Sequence, residues 1–147
     1  MSKKSNIRIS PAYRQAGEST NRMQNYTVDK NKVLHADLCF AINGACIYVQ
    51  NRLGRFAKEK QFGDALENRL KEIGLSYVRE LTVGDTGNRT DFVIDGQVLL
   101  EIKAKPFLSQ DDYAQVQRYL QVLDLELGLV VNFWAKSAMP HRVLRKH

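Results

Sequence analysis

The chain has 147 residues, 44% of them hydrophobic and 26% charged, the composition of one globular domain long enough to bury its own core. No stretch reaches the ~18 apolar residues of a membrane span, and the charged opening MSKKSNIRIS lacks the apolar region of a secretion signal. Cys39 and Cys46 are too few for a disulfide framework or a four-cysteine metal site, so the expected setting is a reducing cytoplasm.

The net charge of +6 favours a polyanionic partner, and it is unevenly placed. Residues 1–34 carry seven Lys/Arg against Glu18 and Asp29, a balance of +5, whereas the remainder carries 15 basic and 14 acidic residues. This divides the chain into a basic arm, 1–34, and a nearly neutral domain, 35–147. Lys3, Lys4 and Arg8 are candidate phosphate contacts. The arm also reads as a solvated tail, or as an element that wraps a neighbouring subunit in a homo-oligomer.

Apolar residues recur at helical spacing from Leu38 to Leu53, with Asp37 as the expected N-cap and Gly54 beyond the end. Cys39 and Cys46 share a face of this helix as small buried residues. A second helix is expected from Ala57 to Ile73, ended by Gly74. Leu75–Val83 alternates as a strand does. Gly84–Asn88 is turn chemistry, and Asp91–Ile94 is a short strand. Asp95-Gly96 signals a two-residue hairpin, and Gln97–Ala104 returns as a mostly buried strand. A helix from Asp111 to Leu123 is capped near Ser109. Gly128–Phe133 is an apolar central strand, and Arg142–Leu144 reads as a last edge strand. The order α-α-β-β-β-α-β-β predicts an α/β fold with one mixed sheet flanked by helices.

Chemistry concentrates at the hairpin. Glu101 and Lys103 are two apart, so both point to one face, while Leu100, Ile102 and Ala104 point into a core. A two-residue turn pairs Ile94 with Gln97 and Asp91 with Leu100. Strict alternation then leaves Asp91 on the face opposite Glu101, and only a bulge or a broken ladder unites them. Two hard carboxylates suit Mg²⁺ or Mn²⁺, and a lysine beside them can orient water or offset charge on a phosphorus under attack. The same spacing also fits a surface ion pair of Glu101 with Lys103.

D-x(9)-E-I-K on a hairpin, preceded by a helical glutamate, resembles the PD-(D/E)xK nuclease superfamily. AINGACIYVQNRLG (41–54), LGRFAKEKQFGDALE (53–67), GLSYVREL, TDFVIDGQVLLEIKA and YAQVQRYLQVLDLELGLVVNF are similar, in order and spacing, to its GxxExxY family. The resemblance covers about residues 38–147 and implies a restriction-endonuclease-like αβββαβ core. It places Glu59 on the motif glutamate and adds Gln115 and Tyr119, four apart on one helical face. The chain departs from the family pattern at Phe56 (glycine), Phe62 (tyrosine), Gln50 (histidine) and Thr90 (a proline common in the superfamily).

The resulting expectation is a Mg²⁺- or Mn²⁺-dependent nuclease acting on DNA in preference to RNA. Asp91 and Glu101 bind metal with the carbonyl of Ile102 as a third ligand, and Lys103 positions water or stabilises charge. Glu59 reaches the metal through water or assists proton transfer, Gln115 orients Lys103 or a phosphate oxygen, and Lys105, Arg118 and Tyr119 contact nucleic acid. The alternatives are a non-cleaving nucleic-acid-binding or assembly subunit on the same fold, and a protein adaptor without nucleic acid.

Overall fold

The structure, a computed structural model, describes residues 34–147. The basic arm, with Lys3, Lys4 and Arg8, lies outside the described residues. Two helices, α1 (Ala36–Leu53) and α2 (Glu59–Glu72), precede strands β1 (Tyr77–Thr82), β2 (Arg89–Ile94) and β3 (Val98–Lys103). Helix α3 (Gln110–Leu123) then leads to β4 (Leu127–Asn132) and β5 (His141–Leu144). The strands form one sheet in sequential order. β3 and β4 are parallel and every other neighbouring pair is antiparallel, so α3 is the crossover that a parallel pair requires.

The sheet is buried on both faces. Leu38, Ile42, Cys46 and Val49 of α1 and Phe62, Leu66 and Leu70 of α2 pack on Phe92, Leu100, Ile102, Leu129 and Val131. On the other face Val116, Tyr119 and Leu120 of α3 pack on Leu99, Val130 and Val143. This explains why β3 and β4 read as near-continuous apolar runs. Gly128 lets α3 come close to β4: a Cβ there would lie 2.6 Å from Val116 Cγ1. Among the described residues, no helix is long and apolar enough to cross a membrane.

Two local expectations change. The N-cap of α1 is His35, in left-handed backbone with φ 54°, and Asp37 sits in the first turn. An acidic side chain is favourable there through the helix dipole without capping. At the hairpin, Ile94 pairs with Val98 and Phe92 with Leu100, so the loop has three residues, Asp95 to Gln97, rather than two. Asp95 and Gly96 do take positive φ, 54° and 63°, as Asp-Gly favours. Gln97 N–H still closes on Ile94 O at 3.0 Å, but the ladder resumes one residue later.

Candidate active site

That one-residue shift brings the acidic residues together. With Phe92 opposite Leu100, the next level sets Asp91 against Glu101 on a common face. The backbone ladder stops there and side chains take over. Glu101 Oε1 accepts from Asp91 N–H at 3.0 Å and from Thr90 Oγ at 2.6 Å, and Asp91 Oδ2 accepts from Ile102 N–H at 2.6 Å. Thr90, which stands where proline is common, is fully buried and serves as a hydroxyl donor to Glu101. On the other side of β2 the ladder is interrupted at the same level. Arg79 pairs with Phe92 and Leu81 with Thr90, while Glu80, facing Asp91 between them, has φ 55°. Left-handed backbone at a glutamate within a strand costs about 1 kcal/mol or more.

The carboxyls are electrostatically frustrated. Burial pushes the pKa of Glu101 up, and the neighbouring Asp91 charge adds to the push, to about 7. Burial also raises Asp91, against the opposing pull of Ile102 N–H, Lys103 and Arg79. Glu59, exposed at the start of α2, is raised first by desolvation and then by Asp91, although Lys103, Lys105 and the backbone N–H of Ala104 favour its charge. Two hard-oxygen donors that repel each other, Glu101 buried and Asp91 half-buried, fit a divalent cation, which would neutralise both. Among the described residues no group of three or more His, Cys, Asp or Glu converges on one point, so the fit rests on this pair.

Lys103, half-buried beside them, is held from α3. Its Nζ donates to Gln115 Oε1 at 3.0 Å, and Gln115 Nε2 donates to Tyr119 Oη at 3.1 Å. The four-residue spacing of Gln115 and Tyr119 is what stacks them on one helical face. Tyr119 is buried among the residues under α3, so its hydroxyl rather than its ring reaches the network. Arg118 is exposed on α3.

Asp112 is absent from the sequence-based set. It is buried, lies 3.7 Å from Lys103 Nζ, and pairs with Lys105 Nζ at 2.5 Å. It also accepts from Ser109 N–H at 2.7 Å. Burial alone would raise its pKa, but Lys105 and Ser109 hold it below the ordinary value. Ser109-x-x-Asp112 ahead of an apolar helical run is a capping box, and that was its available signal. Asn132 was also unread: its Oδ1 accepts from Lys105 and Trp134 N–H, each at 3.2 Å, and its Nδ2 donates to Lys105 O at 2.8 Å.

Two departures from the motif are scaffold residues. Phe62 is fully buried and stacks on Phe133 with centroids 4.2 Å apart. Gln50 clamps the chain after β4. Its Nε2 donates to Phe133 O and Ala135 O, and its Oε1 accepts from Ala138 N–H.

The structure therefore brings Asp91, Glu101, Lys103 and Gln115 together, with Glu59, Lys105 and Tyr119 around them and Arg118 on the outer surface of α3. No curated protein matches the chain. The family model of the PD-(D/E)XK nuclease superfamily matches residues 36–145, a span that takes in every described helix and strand. Sheet order, crossover and sequence agree, and the chain belongs to the PD-(D/E)XK nuclease superfamily.

Proposed function

We propose that the chain is a divalent-metal-dependent nuclease that hydrolyses phosphodiester bonds, in DNA in preference to RNA, and a divergent member of the GxxExxY group. The observation that carries this reading is the common face of Asp91, Glu101 and Lys103 produced by the shifted hairpin. Asp91 and Glu101, with the carbonyl of Ile102, are the residues to hold Mg²⁺ or Mn²⁺. When bound, the ion supplies Lewis-acid stabilisation of charge on the phosphoryl oxygens.

The protein's own groups do the rest. Lys103 presents its remaining N–H donors to a phosphate oxygen or an attacking water, with Gln115 fixing its direction. Glu59, whose raised pKa makes it a better proton acceptor once ionised, takes a proton at the mouth of the site. Lys105 and Arg118 meet flanking phosphates, and Lys3, Lys4 and Arg8 add attraction along the backbone.

A non-cleaving binding subunit is the second reading, favoured by the structural use of Phe62 and Gln50 at positions where the motif has tyrosine and histidine. Incubation with labelled linear and circular, single- and double-stranded DNA and RNA, in Mg²⁺, Mn²⁺, Ca²⁺ or EDTA, separates the two. Cleavage in Mg²⁺ or Mn²⁺ that Asp91→Ala and Glu101→Ala each reduce by ~10²-fold or more is the expected result. Undiminished cleavage in excess EDTA, or in the variants, overturns the nuclease proposal. Binding without cleavage in any metal establishes the second reading.

A further inference from the structure

Phe56 is 72% exposed, yet it is held in place. Its ring meets Trp134 edge-on with centroids 5.0 Å apart, and the Arg55 guanidinium sits 5.3 Å from its centroid. Arg55 Nε also donates to Trp134 O at 2.8 Å, so one arginine ties both aromatic residues. Phe40 and Phe107 are also exposed, but Phe56 is the exposed phenylalanine held in a ring contact, with half-buried Trp134 behind it, so its apolar surface is presented in a fixed direction.

The pair borders the candidate active site. Trp134 and Lys105 share the Asn132 side chain, and Asn132 is the β4 partner of Lys103. Phe56 lies three residues before Glu59, whose carboxyl receives the Ala104 N–H next to Lys103. Cations accompany the rings: Arg55 sits beside Phe56, exposed Lys58 and Lys60 follow Phe56 within four residues of sequence, and exposed Lys136 follows Trp134 by two. A purely apolar partner would have to desolvate these charges. A polyanion with free π-faces satisfies both features, and only unpaired nucleotides offer such faces, because duplex bases are already stacked.

We infer that Phe56 and Trp134 form a stacking platform for an unpaired base of a single-stranded or frayed nucleic acid, next to the scissile phosphate. This rests on the nuclease reading for its purpose but is measured independently of cleavage. A stacked base fixes the register of the strand relative to Lys103, so the platform selects single-stranded over duplex substrate.

Trp134 is the sole tryptophan of the chain, so its emission reports on the platform directly. Full-length protein in EDTA is titrated with a 12-nucleotide oligo(dT), the matching oligo(rU), and a blunt duplex. Binding is read by anisotropy and by Trp134 quenching. Both single strands are expected to quench, because stacking does not read the sugar; quenching by one alone assigns the platform to that nucleic acid. Phe56→Ala is expected to weaken single-strand affinity about tenfold, to reduce the quench, and to leave duplex affinity unchanged, with Phe56→Tyr restoring the loss. No quench, or equal single-strand affinity in Phe56→Ala, overturns the platform. So does a concentration-dependent Trp134 shift without nucleic acid that Phe56→Ala abolishes together with a dimer mass in light scattering, since a second copy then covers the rings. Mg²⁺-dependent cleavage with no Phe56 effect rejects the platform and keeps the nuclease reading. A Phe56-dependent quench without cleavage keeps the platform and rejects the nuclease reading.

Discussion

Lys103 and Gln115 meet at 3.0 Å across the space between β3 and α3, and Gln115 draws the ammonium toward its own oxygen while Asp112 stands 3.7 Å away. Where the lysine points is thus set by competition between a neutral amide and a buried carboxylate. Removing the amide leaves the carboxylate as the stronger attractor.

Gln115→Ala is therefore expected to lower kcat about tenfold by turning Lys103 toward Asp112, with KM and the Mg²⁺-induced rise in Tm unchanged. Lys103→Ala should lose ~10²-fold or more and likewise keep the metal-induced rise, because lysine is not a ligand. Steady-state kinetics beside thermal melts in EDTA and Mg²⁺ check both. A Gln115→Ala effect confined to KM would assign the amide to substrate contact instead.

The raised pKa of Glu101 predicts how stability of the metal-free protein depends on pH. Its folded value, about 7, exceeds the ordinary 4.5, so the folded state holds the proton more tightly. Stability is then greatest below about 4.5 as far as this group is concerned, falls as pH rises through the window, and levels off above about 7. Glu101→Gln should remove that slope and stabilise the metal-free fold at pH 8 by about 1–3 kcal/mol. The amide oxygen can still accept from Thr90 and Asp91. Denaturant melts from pH 4 to 8 in EDTA check this, and millimolar Mg²⁺ should stabilise the wild type alone, most at high pH.

Gly128→Ala places a methyl against Val116, 2.6 Å away before relaxation. The cost is expected at about 1–3 kcal/mol, as α3 lifts from β4. Because Gln115 rides on α3, activity of the folded variant should fall along with Tm. Val116→Ala in the same chain makes room for the methyl and should restore activity more fully than stability.

Removal of residues 1–34 takes away +5 of the +6 net charge. Each phosphate neutralised on duplex DNA adds about −0.9 to the slope of log K against log salt, so about three contacts in the arm predict a slope flatter by ~2–3 units. Affinity should fall for all sequences alike, with metal dependence intact. An unchanged slope with a drop in oligomer mass by light scattering assigns the arm to assembly.

Much of the fold was legible because periodicity reports burial. The alternation of Leu75–Val83, the apolar run Gly128–Phe133 and the helical spacing from Leu38 to Leu53 each named an element that the structure contains, as β1, β4 and α1. The meeting of Asp91 with Glu101 was not legible. Asp95-Gly96 announces a turn, but nothing local counts the residue that closes it, and one residue decides the face. Asp112 and Asn132 were missed for another reason: their shared partner, Lys105, is brought to them by the fold, at the start of the α3 crossover and beside the end of β4, and not by a recognisable sequence spacing.

Surface hairpin tips are ordinarily where chains absorb insertions and deletions at little cost. The Asp95–Gln97 loop is an exception with a physical origin. Its length sets the parity of the two strands, and parity is an all-or-none property of a pleated sheet. Losing one residue there would leave both strands, both carboxylates and the hydrophobic count intact, yet put one carboxylate on the face covered by α1 and α2 and the other on the face covered by α3. The tip of this hairpin is thus expected to tolerate almost no change of length, and changes of residue type only where the left-handed backbone at Asp95 and Gly96 permits them.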